Sequence, residues 1–330
     1  SHIWHMTNTK DDKPLIITDG ALNVLPNVKT KMHILRNVIE FSNRIGIKRP
    51  KVAVLSATEE VLDSVPSSEE ANEITKIAKI LIVELFEKGI LELKDIPEDF
   101  KLTGKQEIQR ECHINDKPHI HKDKIKSFLN QLDYPLYYLD FETFSTAIPK
   151  FDGLKPYSQV PFQYSLHVVK EEGSTPEHHE FLYKGSSDPR REFLDSLKGA
   201  VGSSGDIIVY SASFEKGILS KIGKYFGEEK WADSVNARMV DLLIPFRNFH
   251  YYNPAQQGSA SIKKVLPALV GKDYFGLGIQ GGAEANTEFT RVTYLNGENK
   301  EKVYSDLLKY CELDTLGMVW IVDKLKEKVE

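Results

Sequence analysis

Tyr134-Pro135-Leu136-Tyr137-Tyr138-Leu139-Asp140-Phe141-Glu142-Thr143-Phe144 is an aromatic and aliphatic run that carries two carboxylates. Its composition predicts a buried β-strand. Side chains at i and i+2 of a strand share a face, so Asp140 and Glu142 converge while Phe141 turns away into a core. Two acids held side by side repel, and the arrangement is costly unless a cation lies between them. Mg²⁺ or Mn²⁺ suits such a pair, because hard divalent cations prefer oxygen ligands. Exposed strands also carry Asp-x-Glu; the apolar flanks here favour the metal reading.

Downstream, Phe162 to Val169 alternates as a strand does, and His179 to Tyr183 reads as a third, giving an antiparallel meander. Asp188 to Val201 is an amphipathic helix, with Asp188 as N-cap and Pro189 in the first turn. Asp206 to Tyr210 is a buried strand. It opens into Ser211-Ala212-Ser213-Phe214-Glu215, where a helix begins. Glu215 there is either a complement to the helix dipole or a third site acid. Asp241, after Met239-Val240, is either an auxiliary acid or a structural cap. A last helix, about Lys302 to Lys326, spaces Asp306, Tyr310 and Asp314 four apart on one face. An Asp can ligate a metal and a Tyr phenol can orient or deprotonate a water; the bland alternative is an exposed polar stripe.

Positive and aromatic side chains near these acids suit a polyanion. Lys263 and Lys264, and Arg247 near His250, Tyr251 and Tyr252, could contact phosphates, with Phe144 and Phe214 beside the acids as stacking candidates. A solvated helix face explains the lysines equally well. Gly276-Leu277-Gly278-Ile279-Gln280-Gly281 matches GxGxxG, but no strand precedes it and no helix clearly follows, so a dinucleotide site is set aside. There is no GxSxG.

Upstream, Pro14 to Asp19 reads as a short strand, Lys29 to Ile45 as a helix stopped by Gly46, and Lys51 to Ser56 as a second strand. Together they make a small βαβ segment with parallel strands. Ser1 to Met6 resembles a vector-derived lead and is excluded from this reading. Leu85 to Ile90 and Leu93 to Pro97 suggest helix, glycine turn, short helix. Residues 101 to 124 look like a polar linker, and Lys124 to Leu132 like a short helix. His113, His119 and His121 beside Cys112 fit no zinc spacing and read as a solvated loop.

The 330-residue chain has 43 Lys and Arg against 48 Asp and Glu, a net charge of −5. A net negative chain is a poor general polyanion binder, so nucleic acid would have to be held locally or through metal ions. No apolar run approaches the roughly 20 residues of a membrane span, and no apolar stretch follows a basic start. Cys112 and Cys311 form no CxxC pair, which suits free thiols in a reducing cytoplasm.

Two resemblances follow from these strings. Ile17-Thr18-Asp19-Gly20-Ala21 with Asn23 and Pro26, then Pro50 to Ala57, is similar to part of the phosphate acetyl/butyryltransferase family, from about Lys13 to Lys79. The family's later catalytic segment has no counterpart here. From about Leu81 to Glu330 the chain resembles an uncharacterised bacterial family of ribonuclease-H-like type. The residues are Leu139 to Phe144, Phe151-Asp152-Gly153 with Pro156-Tyr157, Ser213 to Lys216, Gly258 to Pro267 and Tyr310 to Thr315. The order of acids is similar to that of the DEDDy exonucleases.

That likeness implies an α/β fold, a ribonuclease-H-like mixed sheet flanked by helices. It implies Asp140, Glu142, Glu215 and Asp314 as ligands of two Mg²⁺ or Mn²⁺ ions, with Tyr310 orienting the water. Metal pairs about 4 Å apart clamp an in-line displacement at phosphorus. The expected activity is 3′–5′ hydrolysis of DNA or RNA from a single-stranded end. Ser211 stands where those exonucleases have asparagine, and Glu215 where they have aspartate. The expected division is a lead (1–6), a transferase-like fragment (7–79), a helical hairpin and linker (80–132) and the nuclease-like domain (133–330). A non-catalytic nucleic-acid-binding module and an acyltransferase are the alternatives.

Overall fold

A computed structural model describes residues 3–7, 14–18, 28–47, 90 and 92–330. The chain divides into two compact units, Ser1–Phe100 and Lys101–Glu330.

In the first unit, β1 (Ile3–Thr7) pairs antiparallel with β2 (Pro14–Thr18), and α1 spans Val28–Arg44. Leu35, Val38 and Ile39 are buried on one stripe of α1, against Ile3 and Ile16. The lead excluded above therefore contributes a strand, because Ile3 has an apolar stripe to cover. The strand expected at Lys51 to Ser56, and with it the parallel pairing, lies outside the described residues, as does the first helix of the Leu85 hairpin. Its second limb is a single 3₁₀ turn at Leu93–Asp95.

The second unit begins with α2 (Gly104–Asn115), β3 (His119–Ile120) and α3 (Lys122–Leu129). The linker reading of 101 to 124 is thus corrected. Thr103 and Gln106 form a reciprocal capping box, and Cys112 is buried on the inner face of α2. A capping box satisfies helix-end donors that a polar loop would leave to water. The histidines are also not in a free loop. His113 Nε2 lies 3.2 Å from the Tyr252 hydroxyl, and His119 pairs with Tyr252 across two short strands.

The main sheet follows: β4 (Leu136–Phe144), β5 (Val160–Val169), β6 (Glu177–Leu182), α4 (Arg190–Ala200) and β7 (Ile207–Val209). Then come α5 (Ala212–Phe226), α6 (Glu229–Ala237), β8 (Met239–Asp241), α7 (Ile244–Arg247) and β9 (Tyr251–Tyr252). The chain ends with α8 (Ile262–Val270), α9 (Gly282–Tyr294) and α10 (Lys300–Val329).

The strand order is β6-β5-β4-β7-β8. β4, β5 and β6 form the antiparallel meander, while β7 and β8 run parallel to β4. The sheet is mixed and helices cover both faces, as expected of the α/β class.

Both faces of β4 are covered, and its alternation sorts its side chains between two cores. Leu136, Tyr138 and Phe144 enter one core with residues of α8, α9 and α10. Tyr137, Leu139 and Phe141 enter the other with residues of α4, α5 and α6. Burying an apolar side chain of this size contributes about 1.5–3 kcal/mol. A one-residue slip would exchange the two sets and move the acids to the wrong core, so the register is strongly specified.

The polar side of β5 is buried as well. Gln163, Ser165 and His167 lie under α10, where Gln163 Nε2 donates to the Leu307 carbonyl at 2.8 Å and Ser165 Oγ lies 2.7 Å from Thr315 Oγ1.

Candidate metal centre

The strand period points Asp140 and Glu142 to the same face of β4, and α10 crosses that face. Carboxylate oxygens of Asp140, Glu142 and Asp314 all lie within 4.8 Å of one another. Glu142 and Asp314 are buried and Asp140 is half-buried. Asp314 arrives from 174 positions along the chain from Asp140, on the helical face that also carries Tyr310.

The surroundings hold this cluster in place. The Tyr274 hydroxyl donates to Asp314 Oδ1 at 2.5 Å. Lys263 Nζ lies 5.2 Å from the centre of the Tyr310 ring and 5.7 Å from that of Tyr274. Cys311 Sγ is 3.7 Å from Asp140 Oδ2, and both cysteines are free thiols. A Cβ at Gly282 would stand 3.6 Å from Glu142 Oε2, so the first turn of α9 approaches the acids. A helix N-terminus favours a nearby anion. A Cβ at Gly281 would come within 3.2 Å of Lys263 Nζ.

Burial pushes all three carboxyls above the usual carboxylate range. At Asp140 repulsion from Asp314 adds to the rise, and at Glu142 repulsion from Asp140 and then Asp314 does so. Asp314 is raised to about 6 by burial, against the opposing pull of the Tyr274 hydrogen bond, Lys263 and Tyr310. Burial, with Asp314 and Glu142 nearby, also drives the Tyr310 phenol well above its ordinary range. These are acids whose charged forms are under-compensated by the protein, the condition a bound divalent cation relieves.

Glu215 is buried in the first turn of α5, but its carboxylate does not join the three within that span. Asp241 Oδ1 accepts from the Ser211 and Leu243 backbone N–H groups, each at 3.0 Å. Ser211 itself sits at φ 84, a left-handed conformation costly for serine. Asp241 thus braces the strained strand-to-helix junction that precedes Glu215.

The aromatics expected beside the nucleic acid are packed to different degrees. Phe144 is buried at 5.5 Å from the Phe289 ring and 5.3 Å from that of Tyr294. As a member of the apolar face of β4 it had a core to enter. Tyr251 and Tyr252 are buried on β9, Tyr251 in the first core and Tyr252 stacked on Phe249, and Phe214 is half-buried against the second core. Lys263 faces the acids, whereas Lys264 is exposed. The glycine run gains a helix after it, α9, but no strand before it, and its last glycines line the acidic site. Tyr274 escaped the sequence reading because a tyrosine in a loop carries no periodic signal.

Residues 137–261 match the model of a domain of unknown function, and residues 1–96 that of the phosphate acetyl/butaryl transferases. The chain is similar to an uncharacterized protein of Mycoplasma genitalium, 29% identical over 67% of this chain and 36% of that protein. It is 38% identical to a phosphate acetyltransferase of Rhizobium meliloti, over 24% of this chain and 25% of that enzyme. A phosphate butyryltransferase of Clostridium acetobutylicum is 35% identical over 24% of this chain and 26% of that enzyme. The chain therefore spans between about a quarter and 36% of these relatives. The transferase resemblance of the N-terminal piece is borne out. No solved structure matches the chain.

Proposed function

We propose that the unit from Lys101 to Glu330 is a metal-dependent nuclease of ribonuclease-H-like type, a DEDDy 3′–5′ exonuclease acting on single-stranded ends of DNA or RNA. One observation carries the reading: carboxylates remote in sequence, Asp140 and Glu142 on β4 and Asp314 on α10, close to within 4.8 Å beside Tyr310. The meander followed by two parallel strands supports it, since that is the element order the resemblance implies.

The donor set is all oxygen and anionic, which suits Mg²⁺ or Mn²⁺. Asp140, Glu142 and Asp314 would hold the ions, two on this reading, which supply a water of lowered pKa and charge for the phosphoryl oxygens. Tyr274 fixes the Asp314 carboxylate by its hydrogen bond. Tyr310, one helical turn before Asp314, orients the water. Its raised pKa keeps the phenol protonated, so it acts as a hydrogen-bond donor. Lys263 is placed to meet a phosphate oxygen once the acids are occupied.

Incubating the protein with 5′-labelled single-stranded DNA or RNA and Mn²⁺ tests this. Stepwise shortening that disappears in Asp140→Ala is expected; no shortening with either nucleic acid would overturn it.

A second reading is a binding module of the same fold without catalysis. The departures at Ser211 and Glu215 from the exonuclease pattern favour it. Undiminished binding in EDTA with no cleavage would select it. An acyltransferase activity has less support, because the matched piece covers about a quarter of such enzymes.

A further inference from the structure

We propose that His167, His178 and Glu312 form a second metal site, for Zn²⁺, separate from the acidic cluster and independent of the nuclease reading. The antiparallel register sets His167 on β5 directly opposite His178 on β6. Their rings lie 4.4 Å apart at an interplanar angle of 17°. Glu312 reaches them from α10, and one donor atom from each of the three lies within 4.8 Å of the others. Two imidazoles and one carboxylate are the ligand chemistry of zinc, unlike the all-oxygen set at Asp140.

Hydroxyls support the imidazoles as outer partners support metal-bound histidines. Thr315 Oγ1 lies 2.8 Å from His167 Nδ1, and Ser165 Oγ lies 3.0 Å from His178 Nε2. The two hydroxyls are themselves 2.7 Å apart. One nitrogen of each ring is engaged in this way, and the other is left for an ion. Closing on one ion requires the rings to turn out of their stack, and His178, exposed on β6, is free to do so. The ion would tie the strand at the sheet edge to the helix that carries Asp314.

The test is a Zn²⁺ titration of the full chain, stripped with EDTA and exchanged into excess Mg²⁺, which competes at all-oxygen sites and not at imidazoles. Binding is followed by competition with a chromophoric zinc indicator. His179 is the neighbouring exposed histidine outside the cluster and serves as the control. The expected result is one zinc equivalent that weakens at least about tenfold in His178→Ala and in Glu312→Gln and is kept in His179→Ala. Both ligand positions are at least partly exposed, and circular dichroism confirms that the variants fold. Absence of zinc binding in the parent, displacement of zinc by Mg²⁺, or equal affinity of His178→Ala and His179→Ala would overturn the proposal.

Discussion

At Asp314, burial lifts the carboxyl to about 6, while an unfolded aspartate titrates near 3.9. The folded state therefore holds this proton more tightly than the unfolded chain does. Its contribution to stability is complete below about pH 4 and is lost as the pH rises through about 6. Asp140 and Glu142, also raised, extend the loss to higher pH. The metal-free protein is expected to melt at progressively lower temperature from pH 4 upward, with the slope reduced in Asp314→Asn and the loss reversed by Mn²⁺. Melting curves across pH with and without Mn²⁺ check this. A flat profile in EDTA would contradict the packing of the three acids. At Tyr310, replacement by Phe removes only the hydroxyl from a buried ring. Cleavage should fall roughly 10²-fold with Mn²⁺ affinity nearly unchanged; an equal loss of both would make Tyr310 a support for the metal alone.

At the level of elements, β4 carries two of the acids and α10 the third; β7 lies parallel beside β4, and the turn before β7 packs against the start of β4. Gly205 in that turn has φ +81, and a Cβ there would lie 2.1 Å from the Pro135 carbonyl oxygen. The obstacle is backbone, so it cannot swing aside. Gly205→Ala is expected to cost about 1–3 kcal/mol, read from denaturant unfolding. Ala in place of Gly173, also at positive φ but with nothing within 4 Å, should cost less. On the face that carries the acids, α9 is anchored by Phe289, which stacks on Phe162 with ring centres 3.7 Å apart. Phe289→Ala should destabilise by about 3–5 kcal/mol. It should also loosen the glycine turn beside Glu142, so Mn²⁺ affinity falls along with stability. Unchanged affinity would detach α9 from the site.

For the whole molecule, a net charge of −5 sets how a polyanion could be held. Binding to single-stranded nucleic acid should be weak in EDTA and strengthen with Mn²⁺, because the metal cancels the repulsion of the acids. Lys263→Ala should reduce the slope of log affinity against log salt by about 1, measured by fluorescence anisotropy. Strong metal-free binding with a steep salt slope would place the contact elsewhere on the surface. Among the described residues, no helix is long and apolar enough to cross a membrane.

Local pattern alone determined the β4 strand, the meander, the helix after Asp188, the long C-terminal helix and the pairing of Asp140 with Glu142. Each rests on a period of two or 3.6 residues, which is a property of the backbone and needs no partner. Pattern could not say which apolar rings are core and which are platforms: Phe144 is buried because both faces of the main sheet are covered, and Tyr251 and Tyr252 because β9 packs inside the unit. Nor could it read the capping box at Thr103 as a helix amid polar residues. The meeting of Asp314 with Asp140, the brace of Tyr274, and the approach of the glycine turn to Glu142 were decided by tertiary structure. They join segments far apart in the chain, and only the packing of α8, α9 and α10 on one face of the sheet sets those distances.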